Sequence, residues 1–177
     1  MPSTSAGVLG VFSIVLGVLL AVAECADLVV LFYALVGSDI IGPAGVEVKA
    51  TLPVFACREV AMLLMSLALV GVGVFLKMRV KGSRVAAMIW CELALAILVG
   101  RAVLWNAYLW PHLDRAIQLA NGTWKGTGLD VFSELFFGIL GALGEVTEYV
   151  LVVVLAVYPL VMLPVVARRK FGESLVR

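Results

Sequence analysis

Glu145 and Glu148 lie three residues apart inside an otherwise apolar run that extends from Val131 to Ala167. A carboxylate facing hydrocarbon costs on the order of several kcal/mol, so this pair must face protein, water or an interface. Glu24 and Asp27 repeat the i, i+3 spacing in another apolar run, and Arg58, Glu59 and Arg101 interrupt two more. Groups of these types can pair guanidinium to carboxylate, share a proton between carboxyls, or hold a cation. Five carboxylates against two arginines leave a formal charge of −3 when all are ionised. In a low-dielectric setting that charge must be reduced by protons, a bound cation or water, unless some of the acids sit at a wet boundary.

Other site chemistry is missing. His112 is the sole histidine, so a bis-histidine haem cannot form, and neither HExxH nor ExxH occurs, which argues against a carboxylate di-iron centre. Gly71-Val72-Gly73 lacks a third glycine and a preceding strand, so helix packing explains it better than dinucleotide binding. No GxSxG elbow is present, and no serine has a histidine to activate it. Cys25, Cys57 and Cys91 show no CxxC spacing and read as small buried hydrophobes. The expectation is no enzyme, no cofactor and no metal.

The elements that must position the charged groups follow from composition. The 177 residues are 63% hydrophobic and 14% charged, with a mean hydropathy of +1.13, which exceeds what a water-soluble domain needs. A net charge of +1 without an aromatic-interleaved basic stripe excludes nucleic acid as a partner. Four apolar segments, about 7–36, 53–76, 85–110 and 131–167, each reach the roughly 20 residues that cross a bilayer. No basic side chain precedes the first, so it reads as a retained span rather than a signal peptide. Pro53 after Thr51 suits a first helical position, and Asp130 suits an N-cap. Pro159 and Pro164 should bend the last helix.

Lys77, Arg79, Lys81, Arg84, Arg168, Arg169, Lys170 and Arg177, eight of the thirteen basic residues, gather in the 77–84 hairpin and the C-terminal tail. The positive-inside rule puts both there in the cytoplasm, with both termini inside and loops 37–52 and 111–130 outside. Within the second outer loop, residues 112–119 can form a short interfacial amphipathic helix, with Trp105, Tyr108, Trp110 and Trp124 as an aromatic belt. Asn121-Gly122-Thr123 matches an N-glycosylation acceptor.

Counted inward from the cytoplasmic ends at about 1.5 Å per residue, Glu24, Asp27, Arg58, Glu59, Arg101, Glu145 and Glu148 all fall about 24–33 Å up, forming one candidate charged layer. Ser13, Gly17 and Ala21 continue the Glu24/Asp27 stripe, and Gly138, Gly141 and Ala142 share a stripe with Glu134, Glu145 and Glu148, so both acidic faces read as packing faces. Glu92 lies lower and either reaches the inner headgroups or faces a partner such as Ser13.

Leu9-Gly10-Val11-Phe12-Ser13-Ile14-Val15-Leu16-Gly17, the basic hairpin before the third segment, and Tyr158-Pro159 in the last are similar to those of a loose family of uncharacterised bacterial four-span membrane proteins. The resemblance implies a fold class and a bacterial inner membrane, and no activity. The expectation is an all-α integral membrane four-helix bundle embedded in the lipid bilayer, either a homo-oligomer or bound to a membrane-protein partner. It would act as a non-enzymatic scaffold or accessory subunit; the alternative is a small oligomeric channel or transporter whose acidic layer binds protons or cations.

Overall fold

The structure, a computed structural model, describes residues 4–37, 43–124 and 130–168. Its elements are α1 (Thr4–Gly37), α2 (Pro43–Lys77), α3 (Ser83–Leu104), a π-helical turn (Trp105–Leu109), α4 (Trp110–Trp124) and α5 (Asp130–Ala167). Four helical stretches, Ala6–Tyr33, Ala44–Lys77, Ser83–Leu119 and Glu148–Ala167, are long and apolar enough to cross a membrane. They leave large apolar side chains exposed along their length, such as Val8, Phe12, Val15, Leu19 and Val22 on α1 and Val150, Val153, Val157 and Leu160 on α5. Water would not tolerate such faces, whereas lipid solvates them. Among the described residues the chain is all-helical, a four-helix bundle with candidate membrane spans.

Two element boundaries differ from the sequence reading. Residues 43–51 are helical rather than loop, so Pro53 lies inside α2, and Pro43 takes the first helical position. A proline in a helix interior removes one backbone donor. Side-chain donors are engaged nearby: Thr51 Oγ1 donates to the Val48 carbonyl at 2.7 Å and Tyr108 Oη to the Ala50 carbonyl at 3.4 Å. The third segment does not stop at Trp110 either. It continues through the π turn into α4, where the Trp110 N–H reaches back five residues to the Trp105 carbonyl. Pro111 has no N–H to continue the four-residue pattern, and the wider turn lets the helix carry on. The expected short amphipathic helix is present as part of this longer α4. α5 runs through Pro159 and Pro164.

The helices divide into two compact units. The first comprises Met1–Ala26, Glu59–Val99 and Val154–Arg177; the second comprises Asp27–Arg58 and Gly100–Val153. In the first unit Leu69, Leu76, Ala87, Trp90, Cys91, Met162 and Val166 form an apolar core. Trp90 Nε1 donates to the Met65 carbonyl at 2.9 Å, and the Ser13 hydroxyl bonds the Leu9 carbonyl at 2.8 Å and the Tyr158 hydroxyl at 2.5 Å. Ser13 is therefore not aimed at Glu92, which is exposed. Glycine lets α1 and α2 touch: a Cβ on Gly73 would stand 2.7 Å from the Gly10 carbonyl oxygen and 2.8 Å from the Ile14 nitrogen, and one on Gly17 would stand 2.8 Å from the Ser66 carbonyl oxygen. Of the two glycines in Gly71-Val72-Gly73, only Gly73 has this packing role; Gly71 has nothing within 4 Å.

α2 ends in a reverse turn. The Val80 N–H donates to the Phe75 carbonyl at 3.0 Å and the Arg79 N–H to the Leu76 carbonyl at 3.3 Å, with Arg79 at φ 54°. That is a left-handed position which glycine normally takes.

Cysteine placement also departs from expectation. Cys91 is buried, but Cys25 and Cys57 are exposed. Both exposed thiols lie on helices apolar and long enough to cross a membrane, where lipid would make burial unnecessary.

Two outcomes follow for thermal unfolding of the full chain in detergent. Gly73→Ala should lose about 1–3 kcal/mol by forcing the α1 and α2 backbones apart, while Gly71→Ala should be neutral or gain up to about 1 kcal/mol from helix propensity. Equal effects of the two substitutions would contradict the close approach at Gly73. Arg79→Gly should raise stability by about 1 kcal/mol by relieving the left-handed arginine, and a lower midpoint would show that the arginine side chain outweighs its backbone cost.

Candidate functional site

Within the second unit, α2, α3 and α5 each send one charged side chain to a shared point. Arg101 lies near the C-terminal end of α3, and its Nε donates to Glu148 Oε1 at 2.6 Å while a terminal nitrogen donates to Oε2 at 2.9 Å. Both groups are buried, with 4% and 6% of their surface exposed. The pairing is the fork-to-fork geometry that guanidinium offers and lysine cannot. Arg58 of α2 adds a third contact, its Nη1 lying 3.4 Å from Glu148 Oε1. Its guanidinium also rests over the Phe55 ring at 4.8 Å and the Trp105 ring at 5.8 Å. Aromatic faces lower the cost of holding that second cation away from water.

The π turn serves this cluster. It carries Trp105, which is buried beside Phe55 in an edge-to-face contact at 6.3 Å, and Asn106, whose side-chain nitrogen donates to the Ala102 carbonyl at 2.8 Å. Asn106 Oδ1 accepts a hydrogen bond from the hydroxyl of Tyr149, the residue after Glu148. Both neighbours in the α5 sequence are thus tied to α3 and its extension. Further along, His112 Nδ1 of α4 and Glu47 Oε2 of α2 meet at 2.7 Å, beside the Tyr108 ring at 4.8 Å from the His112 ring.

In the first unit, Glu24 of α1 and Glu59 of α2 are buried at 3% and 2% exposure, and their carboxylate oxygens come within 4.8 Å of one another. Their depth follows from the glycine contacts below them, which hold α1 and α2 at backbone distance.

The seven residues singled out from the sequence therefore fall as follows. Arg58, Arg101 and Glu148 meet in the second unit, and Glu24 and Glu59 meet in the first. Asp27 belongs to the second unit and is exposed, so the i, i+3 pair on α1 does not share one degree of burial. The side chains of Glu145 and Glu134 lie outside the described part of the structure, as does the exposure of Gly138 and Gly141. Ala142 is exposed, so it is not part of a packing stripe with Glu148.

Sequence reasoning missed the Asn106–Tyr149 and His112–Glu47 contacts. Asn106 was hidden because it lies within the π turn, whose wider pitch moves its residues off the positions that a regular 3.6-residue count gives. His112 and Glu47 were both assigned to outer loops, and only the longer α2 and α4 give them fixed positions.

Removing one partner of a buried pair leaves the other charge uncompensated. Glu148→Gln should cost about 3–5 kcal/mol in thermal unfolding, because Arg101 and Arg58 lose their common acceptor. Arg101→Met combined with Glu148→Leu should be milder than either single change, and a double-mutant cycle with no coupling would refute the pairing.

No family model matches this chain, and neither does a curated protein or a solved structure.

Proposed function

We propose that the protein is a multi-pass membrane component without catalytic activity, a scaffold or accessory subunit whose buried charges hold its helices in register. The observation that carries this reading is the commitment of Glu148: both of its oxygens are engaged by Arg101, and Arg58 stands against one of them. A carboxylate held in this way is poorly suited to binding and releasing an ion, since each cycle would have to break a bidentate, buried contact. The cavity in the first unit, lined by Leu20, Met62, Met65, Trp90, Leu98 and Leu155, measures about 30 Å³. That is room for a single water rather than a substrate. The basic hairpin and tail favour both termini on the cytoplasmic side of a bacterial inner membrane, and a homo-oligomer or a second membrane protein is the natural partner of such a subunit.

A second reading rests on Glu24 and Glu59. Two buried carboxylates within 4.8 Å repel one another unless a proton, a cation or an arginine offsets the charge. A small oligomeric channel or transporter would use this pair, with water entering from an oligomer interface.

Reconstituted proteoliposomes separate the two. The expected result is proton and monovalent-cation flux no greater than in empty vesicles, together with a lowered unfolding midpoint for Glu148→Gln. Flux above background that is abolished in Glu24→Gln/Glu59→Gln, at unchanged thermal stability, would replace the scaffold by the transporter.

A further inference from the structure

The reverse turn between α2 and α3 collects more positive charge than its own fold requires. Lys77, Arg79, Lys81 and Arg84 occur within eight residues, and no aspartate or glutamate occurs from Val60 to Cys91 or from Val154 to Arg168. The C-terminal end of α5 is brought to the same place by hydrogen bonds: Arg84 Nε donates to the Val166 carbonyl at 3.0 Å and its Nη2 to the Ala167 carbonyl at 2.6 Å. Arg168, the next residue, is exposed, and so are Lys77 and Lys81. Arg84 is used to cap the last carbonyls of α5, where a cation complements the negative end of the helix dipole. The capping leaves Lys77, Lys81 and Arg168 as exposed charges gathered at the end of the first unit.

A further feature points the patch at a bilayer. Apolar residues alternate with the basic ones through the turn, and Met78 is 69% exposed, Val80 39% and Val85 58%. A turn that pairs exposed hydrophobes with lysine and arginine suits the boundary between acyl chains and headgroups.

We propose that this hairpin, together with the end of α5, is a binding surface for the phosphate headgroup of an anionic phospholipid. The inference rests on the reading of the chain as a membrane protein and adds a lipid preference to it. Lys77, Lys81 and Arg168 supply the charge that the headgroup phosphate neutralises, and Met78 and Val80 lie among the adjoining acyl chains. A phosphatidylglycerol headgroup carries the required single negative charge, whereas zwitterionic phosphatidylcholine does not.

The test is a titration of purified full-length protein in detergent, with bound lipid counted by native mass spectrometry. Phosphatidylglycerol should bind in preference to phosphatidylcholine. Each basic residue near a membrane surface is worth about fivefold in such attraction, so Lys77→Gln/Lys81→Gln should bind phosphatidylglycerol about 25-fold more weakly. Lys77→Arg/Lys81→Arg should bind as the wild type does, which separates lost charge from lost folding. Equal binding of the two lipids, or unchanged binding by the glutamine variant, would overturn the proposal. Displacement of the lipid by inorganic phosphate would assign the patch to a free phosphate instead and equally overturn it. Carbonate washing of membranes that carry the protein is the companion measurement. Release of the chain would remove the membrane reading and the lipid preference together, whereas retained protein with no lipid preference removes only the latter.

Discussion

The bidentate contact between Arg101 and Glu148 is the constraint around which the second unit is arranged. A guanidinium or a carboxylate alone in an apolar bundle would cost far more than the helices around it gain by packing, so neither can be buried unless the other is delivered to it. Delivery requires α3 and α5 to hold one rotation about their axes and one relative height, since a shift of a single residue would turn either group by about 100° around its helix. The neighbouring contacts serve the same end. Arg58 reaches the same carboxylate from α2 while resting on Phe55 and Trp105, and Tyr149 bonds Asn106 from the position next to Glu148.

The first unit is held by a different means. Its α1–α2 contact depends on the absence of side chains at Gly10, Gly17 and Gly73, which lets backbone meet backbone. In lipid, helices gain little from hiding apolar surface, since the surroundings are apolar too, and close van der Waals contact between small residues becomes the main attraction. Ser13 with Tyr158, Trp90 with the Met65 carbonyl and Arg84 with the end of α5 add polar contacts that lipid cannot replace. The buried Glu24 and Glu59 lie on two helices brought together in this way, so their proximity is a consequence of glycine placement as much as of their own chemistry.

Much of the architecture was legible from hydropathy, because the cost of placing a residue in lipid is a local property that accumulates over about twenty positions. The helical ends were less so. Pro53 and Pro111 looked like boundaries, yet both sit in continuous helix, one with hydroxyl donors close by and the other preceded by a π turn. The charged residues were legible as a group, since each interrupts an apolar run, but their partners were not. Asp27 is exposed although Glu24, three residues earlier, is buried, and Ala142 is exposed although its spacing from Glu148 suggested a shared packing face. Likewise Cys25 and Cys57 face outward while Cys91 is buried.

These differences share a cause. In a water-soluble helix the apolar face marks the inside, but here inside and outside are both apolar, so the pattern says that a helix is apolar enough to cross a membrane without saying which way it faces. Composition and spacing by themselves determined the all-helical class, the four apolar spans and the presence within them of charges that cannot remain alone. Only the tertiary structure decided that Arg101 takes Glu148, that Arg58 joins them, and that Glu24 meets Glu59. Pairing depends on the rotation and separation of helices far apart in the chain, and those are set by side-chain and glycine contacts that no local stretch of sequence contains.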